Sequence, residues 1–218
     1  MIIAIDGPSA SGKSTVSKLL ARRLGIAHLD TGAMYRALAL AADWDQLDFT
    51  DLPVLKAWLT KVELDIRLTG GKFAVLLSGR DVEPFIRNEE IGKKASQISK
   101  LGPVREYLLD MQRMAGTKGD LVADGRDMGT VVFPQAEVKF FLIASDRERA
   151  KRRWLELRHL DPSLTLEKVE KELKARDEQD AQRELSPLKP AKDAEILDTT
   201  DLSLDQVVQV MNKRIKTK

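Results

Sequence analysis

Gly7 to Ser14 reads GPSASGKS, a glycine, four residues, a second glycine, a lysine and a hydroxyl residue. That spacing suits phosphate chemistry. The glycines let backbone N–H groups turn inward around phosphate oxygens, Lys13 can reach the outer phosphates, and the Ser14 hydroxyl can ligate Mg²⁺. The apolar run Ile2 to Ile5 precedes the loop, and Val16, Leu19, Leu20 and Leu24 follow it at helical spacing up to Gly25. Strand, loop and helix are the context the motif requires, and the helix N-terminus adds its partial positive charge. The pattern predicts a nucleoside triphosphate held by Gly7, Pro8, Ser9, Ala10, Ser11, Gly12, Lys13, Ser14 and Thr15. A plain glycine-rich turn is the bland alternative. Neither Asp-x-x-Gly nor Asn-Lys-x-Asp occurs, which disfavours a switch GTPase.

A second stretch, LVADGRDMGTVVF from Leu121 to Phe133, places Asp124, Gly125, Arg126 and Asp127 between two apolar runs that look ready to enter a sheet. Such charges are costly to bury without partners. Asp124, ending the first run, can act as an acid near the Mg²⁺ water shell, or it simply ends a strand. Arg126 and Asp127 follow the strand at the edge where open α/β sheets place ligands. The partners of these charges are expected to be ligands rather than side chains, so they should be least satisfied without one.

Two further groups of arginines fit a cluster of phosphates, because Arg stays charged and binds phosphate in a forked geometry. Val169, Leu173, Arg176, Asp180 and Arg183 run down one helical face, apolar positions giving way to charged ones. This suggests a polar cleft, or a helix end emerging into water. SDRERAKRRWLELR clusters Arg149, Arg152 and Arg153; alone it reads as a solvated face, and beside a phosphate loop it reads as a lid.

The elements that must position these groups can be read in order. IAHLD, Ile26 to Asp30, is a short strand, TGAMYRALALAA opens a helix, and 51–61 is another. Val62, Leu64, Ile66 and Leu68 alternate with polar residues, Gly70 and Gly71 intervene, and Phe73, Val75 and Leu77 alternate again. This is a hairpin pattern. An antiparallel hairpin is foreign to a βαβ series, so 60–86 is part of an inserted lobe. Helices are expected over about 88–100 and 103–115, strands at Leu121–Asp124 and Val138–Ala144, and helices to about His159 and over about 166–183. Ser145 with Glu148 and Ser203 with Gln206 suggest capping boxes, the second opening a terminal helix after the strand EILD. The fold predicted is a three-layer α/β/α sandwich around a largely parallel sheet.

With 218 residues, the chain holds one sizeable α/β core. Its 43% hydrophobic and 32% charged residues are those of a soluble globular protein, and a net charge of +2 lends little support to a nucleic-acid surface. The absence of cysteine and the presence of only two histidines argue against a transition-metal site built by the protein. No basic leader precedes MIIAIDG and no apolar run approaches a membrane span, so a cytoplasmic location is expected.

Taken together, GPSASGKST, LDTGAMYR, ASQIS followed by PVRE, DGRDMGTVVFP, RDEQDAQR and EILDTTDLS resemble the bacterial-type cytidylate kinase family over essentially the whole chain, in order. The resemblance implies a P-loop kinase, 1–218, with a central parallel sheet, a monophosphate-binding lobe at 33–115 carrying the small antiparallel sheet, and a short helical lid at 145–183. It implies transfer of the γ-phosphoryl group of ATP to CMP or dCMP with Mg²⁺. Composition and the short apolar runs point to neither a nucleic-acid nor a membrane partner, and nothing in the sequence demands more than a monomer. Gly7 to Thr15, with Arg149 and Arg153, would hold ATP. Ser14 would bind Mg²⁺ directly and Asp124 through water. Asp30, Thr31, Tyr35 and Arg36 would belong to the acceptor site, Arg36 and Arg126 meeting its phosphate. Ser96, Arg105 and Asp127 would face cytosine, Arg176 and Asp180 the sugar, with Arg183 between sugar, base and phosphate. Lys13, Arg126 and Arg183 would be catalytic. Competing readings are a UMP, AMP or shikimate kinase, an ATP-dependent nucleic-acid-binding protein, and a nucleotide-switched module.

Overall fold

The computed structural model describes residues 1–69, 72–159 and 161–216. The elements in chain order are β1 (Ile2–Asp6), α1 (Lys13–Leu24), β2 (Ala27–Asp30), α2 (Thr31–Trp44), α3 (Leu52–Leu59), β3 (Leu64–Thr69), β4 (Lys72–Leu77) and β5 (Arg80–Asp81). They continue as α4 (Glu89–Ile98), α5 (Gly102–Gly116), β6 (Leu121–Gly125), β7 (Val138–Ile143), α6 (Asp146–Leu157), α7 (Leu166–Ala181), β8 (Glu195–Asp198) and α8 (Leu204–Lys216). The larger sheet has the strand order β2-β6-β1-β7-β8. Layered with helices, it gives the expected three-layer α/β architecture.

The chain divides into two compact units, 1–24 with 122–218, and 25–121. In the first, β1 and β7 are almost wholly buried, as their unbroken apolar runs require for a strand covered on both faces. β1 pairs in parallel with β7, Ile3 opposite Val138 and Asp6 opposite Phe141. β7 pairs likewise with β8, Phe140 opposite Glu195 and Ile143 opposite Asp198. This register brings the carboxyl ends of the strands to one edge, and the loops that follow carry the chemistry. α1 packs with α8, and α6 with α7.

The second unit holds β2, α2 to α5 and a three-stranded antiparallel sheet, β3-β4-β5. Leu64 and Ile66 are buried while Asp65 and Arg67 are exposed, so the alternation read from sequence reports the two faces of β3. Its partner β4 runs antiparallel with Ile66 opposite Val75. The expected turn glycines, Gly70 and Gly71, lie outside the described residues.

Two expectations need correction. The second apolar run of LVADGRDMGTVVF is not a strand: Met128–Val132 forms a π-helical turn. Val132 N donates to Asp127 O at 3.1 Å and Phe133 N to Met128 O at 2.7 Å, both five-residue closures. The Ser145 box is also only half made. Glu148 N donates to Ser145 Oγ at 3.3 Å, but the Glu148 carboxylate accepts from Arg152, and Ser145 N donates instead to Thr200 Oγ1 at 2.9 Å. The Ser203 box is complete, with Gln206 N donating to Ser203 Oγ at 3.3 Å and Ser203 N to Gln206 Oε1 at 2.8 Å.

Gly7 marks the tightest approach between the phosphate loop and the sheet. A Cβ there would lie 2.3 Å from the main-chain oxygen of Leu142, and the residue sits at φ +153°. Because the obstructing atom is backbone, it cannot swing aside. Gly7→Ala should cost about 1–3 kcal/mol, read as a lower denaturant midpoint at unchanged slope. An unaltered midpoint would show that the loop has room to move.

Candidate active site

In the first unit the loop from Gly7 to Gly12 joins β1 to α1, whose first residues are Lys13 and Ser14. Lys13 is buried, and its ammonium donates to Pro8 O at 2.9 Å. Burial and the nearby Arg126 and Arg176 bring its pKa down to about 7, against the opposing pull of Asp124 and Asp177. Ser14 Oγ donates to Asp124 Oδ2 at 2.5 Å. Asp124, at the end of β6, is 2% exposed.

Arg126 is held by other side chains. Its Nε donates to Asp180 Oδ2 at 2.8 Å and its Nη2 to Ser9 Oγ at 2.8 Å. The expectation that its charge waits for a ligand is therefore overturned. Asp180 is buried, which would raise its pKa, but Arg126 and Arg183 outweigh burial and hold the carboxyl below its usual range. Arg183 donates through Nε to Asp180 O at 3.3 Å and lies 3.7 Å from its carboxylate. The polar stripe on α7 thus serves an internal network and is not a helix end emerging into water.

Ser9 is gripped at all its polar groups. Its N–H donates to Asp177 Oδ1 at 2.9 Å, its carbonyl accepts from Arg149 Nη1 at 3.0 Å, and its hydroxyl accepts from Arg126. Arg149 also pairs with Asp177, with Asp146 at 2.6 Å and, through Nε, with Ala144 O at 3.2 Å. It braces the loop from α6, where a lid arginine was expected. Arg153 lies 3.0 Å from Glu156 and is partly exposed. Arg152 donates to Thr199 O at 2.6 Å and to Thr199 Oγ1 at 3.1 Å, while Thr199 Oγ1 itself lies 3.3 Å from Ser11 O. The closing motif is thereby tied to the phosphate loop.

Asp6, which the sequence reading leaves outside the site, joins the same network of buried charge. Its carboxylate, 3% exposed, accepts from Met128 N and Gly129 N at 2.8 Å each, where the π-helical turn begins. An acid ending a buried strand directly before Gly7 was the available signal. Asp177 was missed because it lies one position off the α7 stripe.

The second unit carries the other predicted residues. Asp30 caps α2, accepting from Ala33 N at 2.9 Å and from Arg87 at 2.8 Å. Burial would raise its pKa, but Arg87 and the Ala33 amide lower it overall. Thr31 is buried at the start of the same helix. The Arg105 guanidinium lies 5.9 Å from the Tyr35 ring centre and donates to Ser99 O at 3.1 Å. Arg36 donates to Ile86 O at 3.1 Å, beside Gly92, whose missing side chain leaves the guanidinium room. Ser96 on α4 accepts at its carbonyl from Ser99 Oγ, 2.9 Å away. Among the described residues no helix is long and apolar enough to cross a membrane.

A lysine-bearing phosphate loop, a buried acid hydrogen-bonded to its serine, and arginines bonded to the loop define a P-loop phosphotransferase of the α/β class. The family model for cytidylate kinase matches residues 3–217. A cytidylate kinase of Citrifermentans bemidjiense is 49% identical over 216 residues, covering 99% of this chain and 93% of the relative. That of Lactobacillus gasseri is 43% identical over 218 residues, covering 100% of this chain and 95% of the relative. The chain belongs to the cytidylate kinase family, which makes it a nucleoside monophosphate kinase. Among solved structures, a shikimate kinase from Bacteroides thetaiotaomicron superposes with a TM-score of 0.52 over 99% of this chain and 98% of its own, at 11% identity. At that identity only the fold is shared.

Asp6 also generates a pH dependence. Burial pushes its carboxyl from 3.8 up to about 6, although the two amides pull it down. The folded state then holds the proton more tightly than the unfolded one. Asp6 favours folding most below about pH 4, and this contribution is lost as pH rises through 6, a difference of ~3 kcal/mol. In thermal unfolding, Asp6→Asn should gain stability relative to the parent as pH rises from 4 to 7. A difference independent of pH would contradict this.

Proposed function

We propose that the protein phosphorylates CMP and dCMP with ATP and Mg²⁺, giving CDP and dCDP by in-line transfer of the γ-phosphoryl group. The observation that carries the reading is the bond from Arg126, at the end of β6, to Ser9 of the phosphate loop itself. Gly7 to Thr15 hold the triphosphate through their amides, and Lys13 neutralises charge on the group in transfer. Arg126 and Arg183 act on the same charge, supported by Asp180. The acceptor is already a phosphate oxygen, so alignment and charge neutralisation carry the rate and no strong base is needed.

The residues fit a divalent ion. Ser14 Oγ and Asp124 Oδ2 put two hard oxygens together beside the loop. Ser14 would hold the ion directly and Asp124 through water; when bound, it screens the charge of the outer phosphates.

For the acceptor, Asp127 reads the exocyclic amine of cytosine, where uracil would present a repelled carbonyl. Ser96 and Arg105 face the same base, Arg176 and Asp180 the sugar, and Arg36 the phosphate, with Asp30, Thr31 and Tyr35 supporting that side. Residues 33–115 form the monophosphate-binding lobe and 145–183 the lid. Of the lid arginines, Arg149 acts through the loop it braces, and Arg153 meets ATP. The enzyme works as a cytoplasmic monomer on small molecules.

The test is ADP release with ATP and Mg²⁺ against CMP, dCMP, UMP, AMP and shikimate. Turnover is expected with CMP and dCMP; none above the ATP-only background would overturn the reading. Asp127→Ala should narrow the preference for CMP over UMP by about 10-fold or more. An unchanged ratio would mean that the base is read elsewhere.

A further inference from the structure

Asp6 lies directly before the phosphate loop, yet its side chain serves a different segment. Both carboxylate oxygens are used, one on Met128 N and one on Gly129 N, each at 2.8 Å. Successive amides that point the same way form an anion-binding nest, and here the anion is supplied by the protein. These amides open the π-helical turn, and the carbonyl of Asp127 closes it by accepting from Val131 N at 2.9 Å and Val132 N at 3.1 Å. The backbone that immediately follows Arg126 and Asp127 is thus fixed by a carboxylate on β1.

The far side of the turn is pinned separately. Lys139 donates to Pro134 O at 2.7 Å and to Asp193 at 2.9 Å, and its methylenes lie against Gly129. Loss of Asp6 therefore releases the near end of the turn, next to Arg126 and Asp127, while Lys139 still holds the rest. Asparagine cannot replace the carboxylate fully: its oxygen satisfies one amide, and its NH₂ faces the other N–H.

We infer that Asp6 is a positioning residue for the acceptor, joining the start of the phosphate loop to the strand end that carries Arg126 and Asp127. The inference rests on the proposed roles of those two residues. Asp6 touches neither substrate and acts through the turn.

The experiment is steady-state kinetics of Asp6→Asn beside Asp127→Ala, varying ATP and CMP separately and repeating with UMP. For Asp6→Asn the CMP KM should rise about 10- to 100-fold, as expected for an ångström-scale misplacement, with the ATP KM within about threefold of the parent. The CMP to UMP preference should narrow as well. An unchanged CMP KM, or equal rises in both KM values, would overturn the inference, since a purely structural role would not spare ATP. If Asp127→Ala narrows the preference and Asp6→Asn leaves the acceptor KM alone, Asp6 fails while the base reading stands. If the parent enzyme rejects CMP, the acceptor reading fails, and Asp6 is judged by the KM of the monophosphate that is used; if none is used, the inference falls with it. Asp6→Glu, which keeps the charge and moves it by one methylene, is read in the same way and covers a failure of the asparagine variant to fold.

Discussion

The structure turns on the burial of charge at the carboxyl ends of β1 and β6. Lys13, Asp6, Asp124 and Asp127 are all buried there, and an isolated buried ion would be costly. The chain meets this by pairing: Asp124 with Ser14, Asp6 with two amides, and Arg126 with Asp180 and Ser9. Similar logic governs Ser9, whose main chain is shared between Asp177 and Arg149. Helices α6 and α7 are thereby committed to the phosphate loop.

Pre-pairing has a chemical use. On the proposed function, arginines already fixed by acids would lose little freedom when phosphate binds, leaving more of the binding energy for the transfer step. Burial pushes the protonation of Asp6 and Lys13 away from their charged forms.

Much of this was legible in the chain. The phosphate loop encodes its geometry locally, and the hairpin at β3 and β4 encodes its faces by alternation, so both could be read directly. Partners distant in sequence could not. Asp180 stands 54 residues from Arg126, and nothing in the spacing of LVADGRDMGTVVF announces it. The TVVF run looked like a strand because β-branched and aromatic residues favour one, but the amides of Met128 and Gly129 are claimed by Asp6 and the segment coils instead. The Ser145 box failed for a related reason, since Arg152 and Thr200 offered better partners from outside the local window. Arg149 reads as a lid arginine when its helix is taken with the phosphate loop; its contacts with Ser9 and Asp177 depend on tertiary placement.

On the proposed function, Arg126 is held ready by Asp180 and Ser9 and exchanges the Ser9 hydroxyl for the acceptor phosphate. A crystal structure with CMP bound tests it most directly. The account predicts that Nε stays on Asp180 while Nη2, now 2.8 Å from the Ser9 hydroxyl, takes a phosphate oxygen in its place. CMP bound with Arg126 still on Ser9 and its phosphate held elsewhere would contradict it.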